Sequence, residues 1–241
     1  MKKYVLLIAC GAIFFSHDAF ALRASRVESA AVTSQGEIHA EFGHRTVGQS
    51  AGVRIQQESM TLSAGIDGRQ QIDLILPWRV HHTADSHTAF GDVGLMYKMG
   101  SLGVWDNGHT LAGLYQITTF PTSEASRVGK NNYRFDSCSI ITRAVGSTTL
   151  TANFGSVYQT NGPALMRYGA GFEHAWKKIA LFSEILGFSD LKQNGKNEIV
   201  TGSGGLEFGI GKHLTLDVGG EGGITKDAPS WGGFAGATAI F

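Results

Sequence analysis

From about residue 35 to the end of the chain, apolar and polar positions alternate with a period of two. Val93, Leu95, Tyr97 and Met99 fall on one face of a segment, and Asp92, Gly94, Met96 and Lys98 on the other. Leu206, Phe208 and Ile210 oppose Gly205, Glu207 and Gly209; Leu214, Leu216 and Val218 oppose Thr215, Asp217 and Gly219. A strand places successive side chains on opposite faces, so this period predicts β-strands with one apolar and one polar face. Twelve segments carry it: 35–43, 52–66, 69–78, 89–99, 108–119, 134–145, 148–158, 166–176, 179–188, 197–210, 213–221 and 231–241. Apolar-out, polar-in strands of this length in even number predict an all-β fold, an antiparallel transmembrane β-barrel. A half-buried soluble sandwich shows the same alternation.

The connections separate the two. The pairs Asp67-Gly68, Gly146-Ser147, Lys177-Lys178 and Gly211-Lys212 are tight turns, and Asp-Gly is a strong hairpin signal. The intervening connections, 44–51, 79–88, 120–133, 159–165, 189–196 and 222–230, are longer. Long loops outside and short turns at the periplasmic end, where both termini are expected, are the outer-membrane habit. The stretch 100–107 breaks this rule. Trp78, Phe120, Tyr133, Tyr158, Phe188 and Trp231 gather near one set of strand ends and Trp176 and Phe241 near the other, as interfacial girdles would.

The beginning of the chain reads as an export signal. Lys2 and Lys3 precede an apolar run from Tyr4 to Phe15, and Ala19, Phe20 and Ala21 form an A-x-A cleavage site. A lipoprotein reading centred on Cys10 leaves too short an apolar run before the cysteine. The expected organisation is a signal peptide over 1–21, a short irregular periplasmic arm over 22–34 and a barrel over 35–241. The terminal Phe241 is the expected assembly signal, read by the barrel-assembly machinery.

Composition narrows the function. Lys plus Arg number 20 and Asp plus Glu 20, so no basic surface points to nucleic acid. Gly numbers 33, a richness suited to curved sheet and close backbone approach. Past the signal, Cys138 is the only cysteine, which leaves no intrachain disulfide and makes it a small filler.

Three stretches in order carry a resemblance: Ile72, Asp73, Leu74, Ile75, Leu76, Pro77 and Trp78; then Phe90, Gly91 and Asp92 running to Tyr97 and Lys98; then Thr119, Phe120, Pro121 and Thr122. Thr149 to Gly162 adds a later strand and loop. Together they resemble the outer-membrane barrel family named for the meta-pathway of phenol degradation. The chain departs from the family's habit at Ser123, where many relatives place Gly. The resemblance implies passage of aromatic or other hydrophobic compounds.

By parity, Asp73, Asp92, Lys98, Arg143, Arg167, Glu173, Glu184, Glu207 and Asp217 are the candidate lumen-facing charges. They line a solute pathway, or they pair simply to be buried. His81, His82, Asp85 and His87 have metal-ligand residue types but fall on a predicted external loop, where polar residues are ordinary. A lipid hydrolase needs a nucleophile and a base about 3 Å apart. The best pair, Ser156 and His174, sits on adjacent strands about six residues out of register, ~20 Å at ~3.3 Å per residue. The chain therefore reads as a non-enzymatic, monomeric outer-membrane channel or transporter for a small, hydrophobic or aromatic solute, without cofactor. The alternative is a structural or surface-interaction barrel with a closed lumen. Outer-membrane lipids are its expected surroundings.

Overall fold

The computed structural model describes residues 27–48, 54–82, 87–106, 109–122, 133–191 and 198–241. Twelve long strands and one short one follow in chain order: β1 (Ile38–Gly48), β2 (Arg54–Asp67), β3 (Gln70–His82), the short β4 (His87–Ala89), β5 (Val93–Trp105), β6 (Thr110–Phe120), β7 (Arg134–Val145), β8 (Thr148–Gln159), β9 (Leu165–Trp176), β10 (Ile179–Asp190), β11 (Glu198–Ile210), β12 (Leu214–Gly223) and β13 (Trp231–Ile240). Each long strand is antiparallel to its neighbours, and β1 pairs with β13 as well as β2. The sheet is therefore a closed twelve-strand barrel, and closure leaves no long edge. The join is tight: Phe241 N–H donates to Ile38 O at 2.9 Å and Ile38 N–H to Phe241 O at 3.2 Å.

The two ends differ as the connections predicted. At the end where β13 meets the start of β1, the turns are short. Asp67 Oδ1 accepts the Arg69 N–H at 2.8 Å, an Asx-type brace of the hairpin. Gly146 turns at φ 60° and Lys177 at φ 57°, the left-handed region that tight hairpins require. The 100–107 stretch is not a long turn after all. β5 continues through it to Trp105, and a bulge between Met99 and Gly103, with Ser101 at φ 54°, absorbs the odd register. Pro77 has no N–H to give the ladder, and the β2–β3 register shifts beside it, between the Met60–Leu76 and Glu58–Arg79 pairs. Beyond that shift β3 pairs with β4, and β5 pairs with β3 only up to Ile75.

The outer wall is apolar. Phe42, Leu74, Ile141, Phe154, Ile185 and Val218 are exposed and face outward. A soluble protein does not present such a continuous belt to water. In β13, Trp231, Gly233, Ala235, Ala237 and Ala239 share the outward parity, while Phe234 and Thr238 are buried inside. Trp78, Phe120, Tyr133, Tyr158 and Trp231 lie exposed at the long-loop end; Trp105, Trp176 and Phe241 lie exposed at the other. Phe188 departs from the predicted girdle. It shares the parity of buried Glu184 and Leu186 and turns inward, where the Arg134 guanidinium stacks on it at 5.8 Å.

Among the described residues the interior carries two apolar clusters. Met96, Tyr115, Cys138 and Ile140 cluster on the β5–β7 side around Ala30. Across the barrel, the Phe182 and Phe234 rings meet at 6.0 Å. Gly205 and Gly219 leave room for them, since a Cβ at either glycine would run into a ring.

Candidate functional site: an occupied lumen

The residue that fills the β5–β7 cluster, Ala30, belongs to no strand. It lies in the extended segment 27–34, which was expected as a periplasmic arm. The structure corrects this: the described part of the arm lies inside the barrel. Val27, Ala30, Ala31 and Thr33 are all buried. A polar, aperiodic stretch reads as disordered only while its own ladder partners are sought. Its partners here are wall side chains far away in sequence.

The segment leaves β1 at the short-turn end. Gly36, at φ 79°, reverses the chain; its N–H donates to Gly65 O at 3.2 Å and the Glu37 N–H to Ser34 O at 3.1 Å. Gln71 Oε1 then accepts the Thr33 N–H at 2.6 Å, while Gln71 Nε2 donates to Asp73 Oδ1 at 2.7 Å. Thr142 Oγ1 accepts the Ala30 N–H at 2.8 Å. Asn153 holds Glu28 from both sides: its Oδ1 accepts the Glu28 N–H at 2.7 Å and its Nδ2 donates to Glu28 O at 2.7 Å. An amide used in this way imitates a strand partner. The Glu28 carboxylate lies 3.5 Å from Lys98 Nζ.

Glycines clear the path. A Cβ at Gly65 would collide with the Ser34 and Thr33 carbonyls, and one at Gly100 with Ala30 O. A Cβ at Gly169 would sit 2.8 Å from Val27 Cγ2. The segment thus touches β2 and β3 at one side and reaches β9 at the other, crossing the lumen as it climbs from the short-turn end.

Most of the predicted lumen charges are where parity put them. Asp73, Lys98, Arg167, Glu184, Glu207 and Asp217 are buried inside the barrel. Glu173 has the inward parity of Arg167 and is half-buried. Asp92 lies in the connection before β5, also half-buried. Arg143 is a correction. Its side chain is 59% exposed and sits 3.7 Å from Asp106, on the outer face next to buried, inward Thr142. The inward faces of β7 are Asp136, Cys138, Ile140 and Thr142.

The structure also shows charges that sequence parity missed. Asp136 receives Arg134 at 2.9 Å and Arg167 at 3.5 Å. Arg167 in turn lies over the Tyr115 ring at 5.4 Å and the Phe188 ring at 5.9 Å. Arg45 grips Glu221 with two hydrogen bonds, from Nε at 2.7 Å and Nη2 at 2.8 Å. Glu41 and His39 are buried on β1, and His39 lies 3.6 Å from Glu37. The interior thus combines ion pairs with apolar clusters, and its middle is bridged by the chain's own segment.

Of the remaining candidates, those among the described residues are not brought together. His81 is hydrogen-bonded to Thr88 Oγ1 at 2.8 Å; Asp85 and the side chains of His82 and His87 lie outside the described residues. Among the described residues no group of three or more His, Cys, Asp or Glu is placed to hold a metal ion. Ser156 faces Met166, and His174 faces Thr148, whose Oγ1 is 2.8 Å from His174 Nδ1. The β8–β9 register is two residues tighter than expected, which separates Ser156 from His174 by eight positions along the strand, about 26 Å at ~3.3 Å each.

No protein-family model matches the chain, and no characterised protein matches it in sequence. Solved structures do match. The β domain of the Bordetella autotransporter Brka aligns over 87% of this chain and 100% of its own, at 14% identity and a TM-score of 0.53. The translocator domain of the autotransporter NalP from Neisseria meningitidis aligns over 99% and 98%, at 13% identity and a TM-score of 0.49. The toluene transporter TodX from P. putida aligns over 85% and 87%, at 9% identity and a TM-score of 0.37. At such identity the Brka match shows a shared fold, that of an outer-membrane β-barrel.

Proposed function

We propose that the protein is an outer-membrane channel for a small solute, closed in the conformation described here by its own segment 27–34. The short-turn end faces the periplasm in this reading. The observation that carries it is the way the segment is held: by side-chain amides and hydroxyls on its backbone, inside a wall that also carries charge. Each such bond contributes about 0.5–1.5 kcal/mol net. Ordering an extended segment costs about 1–2 kcal/mol per residue. Taken alone these bonds do not offset that cost, and burial of Val27, Ala30 and Ala31 supplies the rest; with no strand ladder of its own, the segment is the element that can withdraw.

The charged interior supports the same reading. Replacing buried ion pairs by apolar residues is often neutral or stabilising, so a barrel meant only to stay shut gains little from Lys98, Arg167, Asp136 and Glu221 inside it. Once the segment withdraws, these groups meet water. Tyr115, Met96, Phe182 and Phe188 lie among them, a mixed lining suited to a small solute with an aromatic or apolar body. The resemblance of the Ile72–Trp78, Phe90–Lys98 and Thr119–Thr122 stretches to the phenol meta-pathway barrels favours the same class. A structural barrel with a permanently closed lumen is the second reading, and the buried cluster around Ala30 favours it.

Planar-bilayer recording separates the two. The intact chain should be closed most of the time, and Lys98→Glu, which sets a carboxylate against Glu28, should lengthen its openings severalfold. A barrel that conducts in neither form is the structural one.

A further inference from the structure

The contacts that hold the segment are contacts to backbone. Asn153 pairs with both the N–H and the C=O of Glu28, and Thr142 and Gln71 take the N–H groups of Ala30 and Thr33. Backbone recognition of this kind reads an extended chain rather than one particular sequence. Two positions are read more narrowly. Lys98, only 1% exposed, takes a carboxylate at position 28. At position 30, Ala30 is wholly buried: a Cβ at Gly100 would collide with its carbonyl, and one at Gly113 would lie in van der Waals contact with its Cβ, at 3.5 Å. Tyr115 and Ile140 close the remaining side. The wall therefore exists as a complementary surface whether or not the occupant is covalently attached.

We infer that the lumen carries a binding site for an extended peptide, which takes an acidic residue followed two positions later by alanine or glycine, and that the chain fills this site with its own residues 27–34. The site is the groove formed by Gln71, Lys98, Gly100, Gly113, Thr142 and Asn153. Its occupant enters from the short-turn end at the exposed stretch Ser34 to Gly36, where the polypeptide is accessible. The inference rests on the closed-lumen geometry and not on conduction.

The test cuts the tether and asks whether the segment still belongs there. A specific protease sequence is inserted between Gln35 and Gly36 in the full chain, the folded barrel is cut in detergent, and the freed segment is washed away. A fluorescent synthetic peptide of residues 27–34 should then bind saturably, and a scrambled peptide should not. Asn153→Leu should weaken the binding at least tenfold. Should the insertion prevent folding, the full chain carrying Glu28→Lys serves instead. Its own segment is set against Lys98 while the wall is untouched, and the wild-type peptide added in trans should slow modification of Cys138 by a charged thiol reagent. Absence of saturable binding, equal binding of the scrambled peptide, or indifference to Asn153→Leu would overturn the site, as would unchanged Cys138 modification in the second arm. Binding without conductance after cutting would reject the channel and leave the site standing; conductance without rebinding would do the reverse.

Discussion

Arg45 and Arg143 look alike in the chain and behave differently in the barrel. Arg45 makes two hydrogen bonds to the almost wholly buried carboxylate of Glu221. Arg143 is exposed on the outer face beside Asp106. Removing one partner of a buried pair costs about 3–5 kcal/mol, whereas an exposed pair contributes about 0–1 kcal/mol. Arg45→Ala should therefore lower the denaturant midpoint of the folded barrel clearly, and Arg143→Ala should leave it nearly unchanged. Equal effects would mean that the inward and outward faces are wrongly assigned. The error over Arg143 has a physical origin. In β7 the apolar residues divide between the faces, with Cys138 and Ile140 inside and Phe135, Ile141 and Val145 outside. Hydrophobicity then carries no parity, and only the pairing with β8, which sets Ile140 opposite Asn153 and Thr142 opposite Thr151, fixes which way the strand turns. Where one face is purely apolar, as in β12, the parity was legible and Asp217 was placed correctly.

Among the elements, the strands were legible and the segment that fills them was not. Period two survives in most strands, β7 excepted, because one side meets an apolar surround and the other a largely polar interior. Segment 27–34 has no ladder to impose a period. Its hydrogen bonds reach across 125 positions to Asn153 and 112 to Thr142, and no local pattern announces partners at that range. The glycines opposite it, Gly65, Gly100 and Gly169, were visible as richness in composition but not as a path. The element-level prediction is a charge exchange. Lys98→Glu should lengthen channel openings, Glu28→Lys should do the same, and the double exchange should restore the closed state, because it re-forms the pair with its signs reversed. Openings in the double variant as long as in either single one would dissolve the Glu28–Lys98 coupling. The closing strand gives a second prediction. Ala237 faces outward between Phe42 and Leu216 in the apolar belt, so Ala237→Arg should cost about 2–4 kcal/mol if that belt sits in hydrocarbon. Reduced yield of folded barrel in membranes, read by heat-modifiable migration on gels, is the expected result; unimpaired folding would place β13 outside the membrane.

For the whole molecule, closure of the wall and occupation of the lumen are separate facts. Pairing of β1 with β13 satisfies the backbone and needs no plug. The plug instead shields the interior, and Cys138 reports on it directly. This thiol is 3% exposed in the cluster that Ala30 completes, and with the chain's other cysteine, Cys10, replaced by Ser it is the single thiol to react. Gly100→Val places a side chain where the Ala30 carbonyl now lies, which should drive the segment out while the wall stays closed. The decisive measurement is the rate at which a charged, membrane-impermeant thiol reagent modifies Cys138 in the folded, heat-modifiable barrel, for the intact chain and for Gly100→Val. Slow modification of the intact chain, with a rate at least tenfold higher in Gly100→Val, is the predicted result. Fast modification of the intact chain, at the rate of the variant, would contradict a lumen closed by its own N-terminal segment.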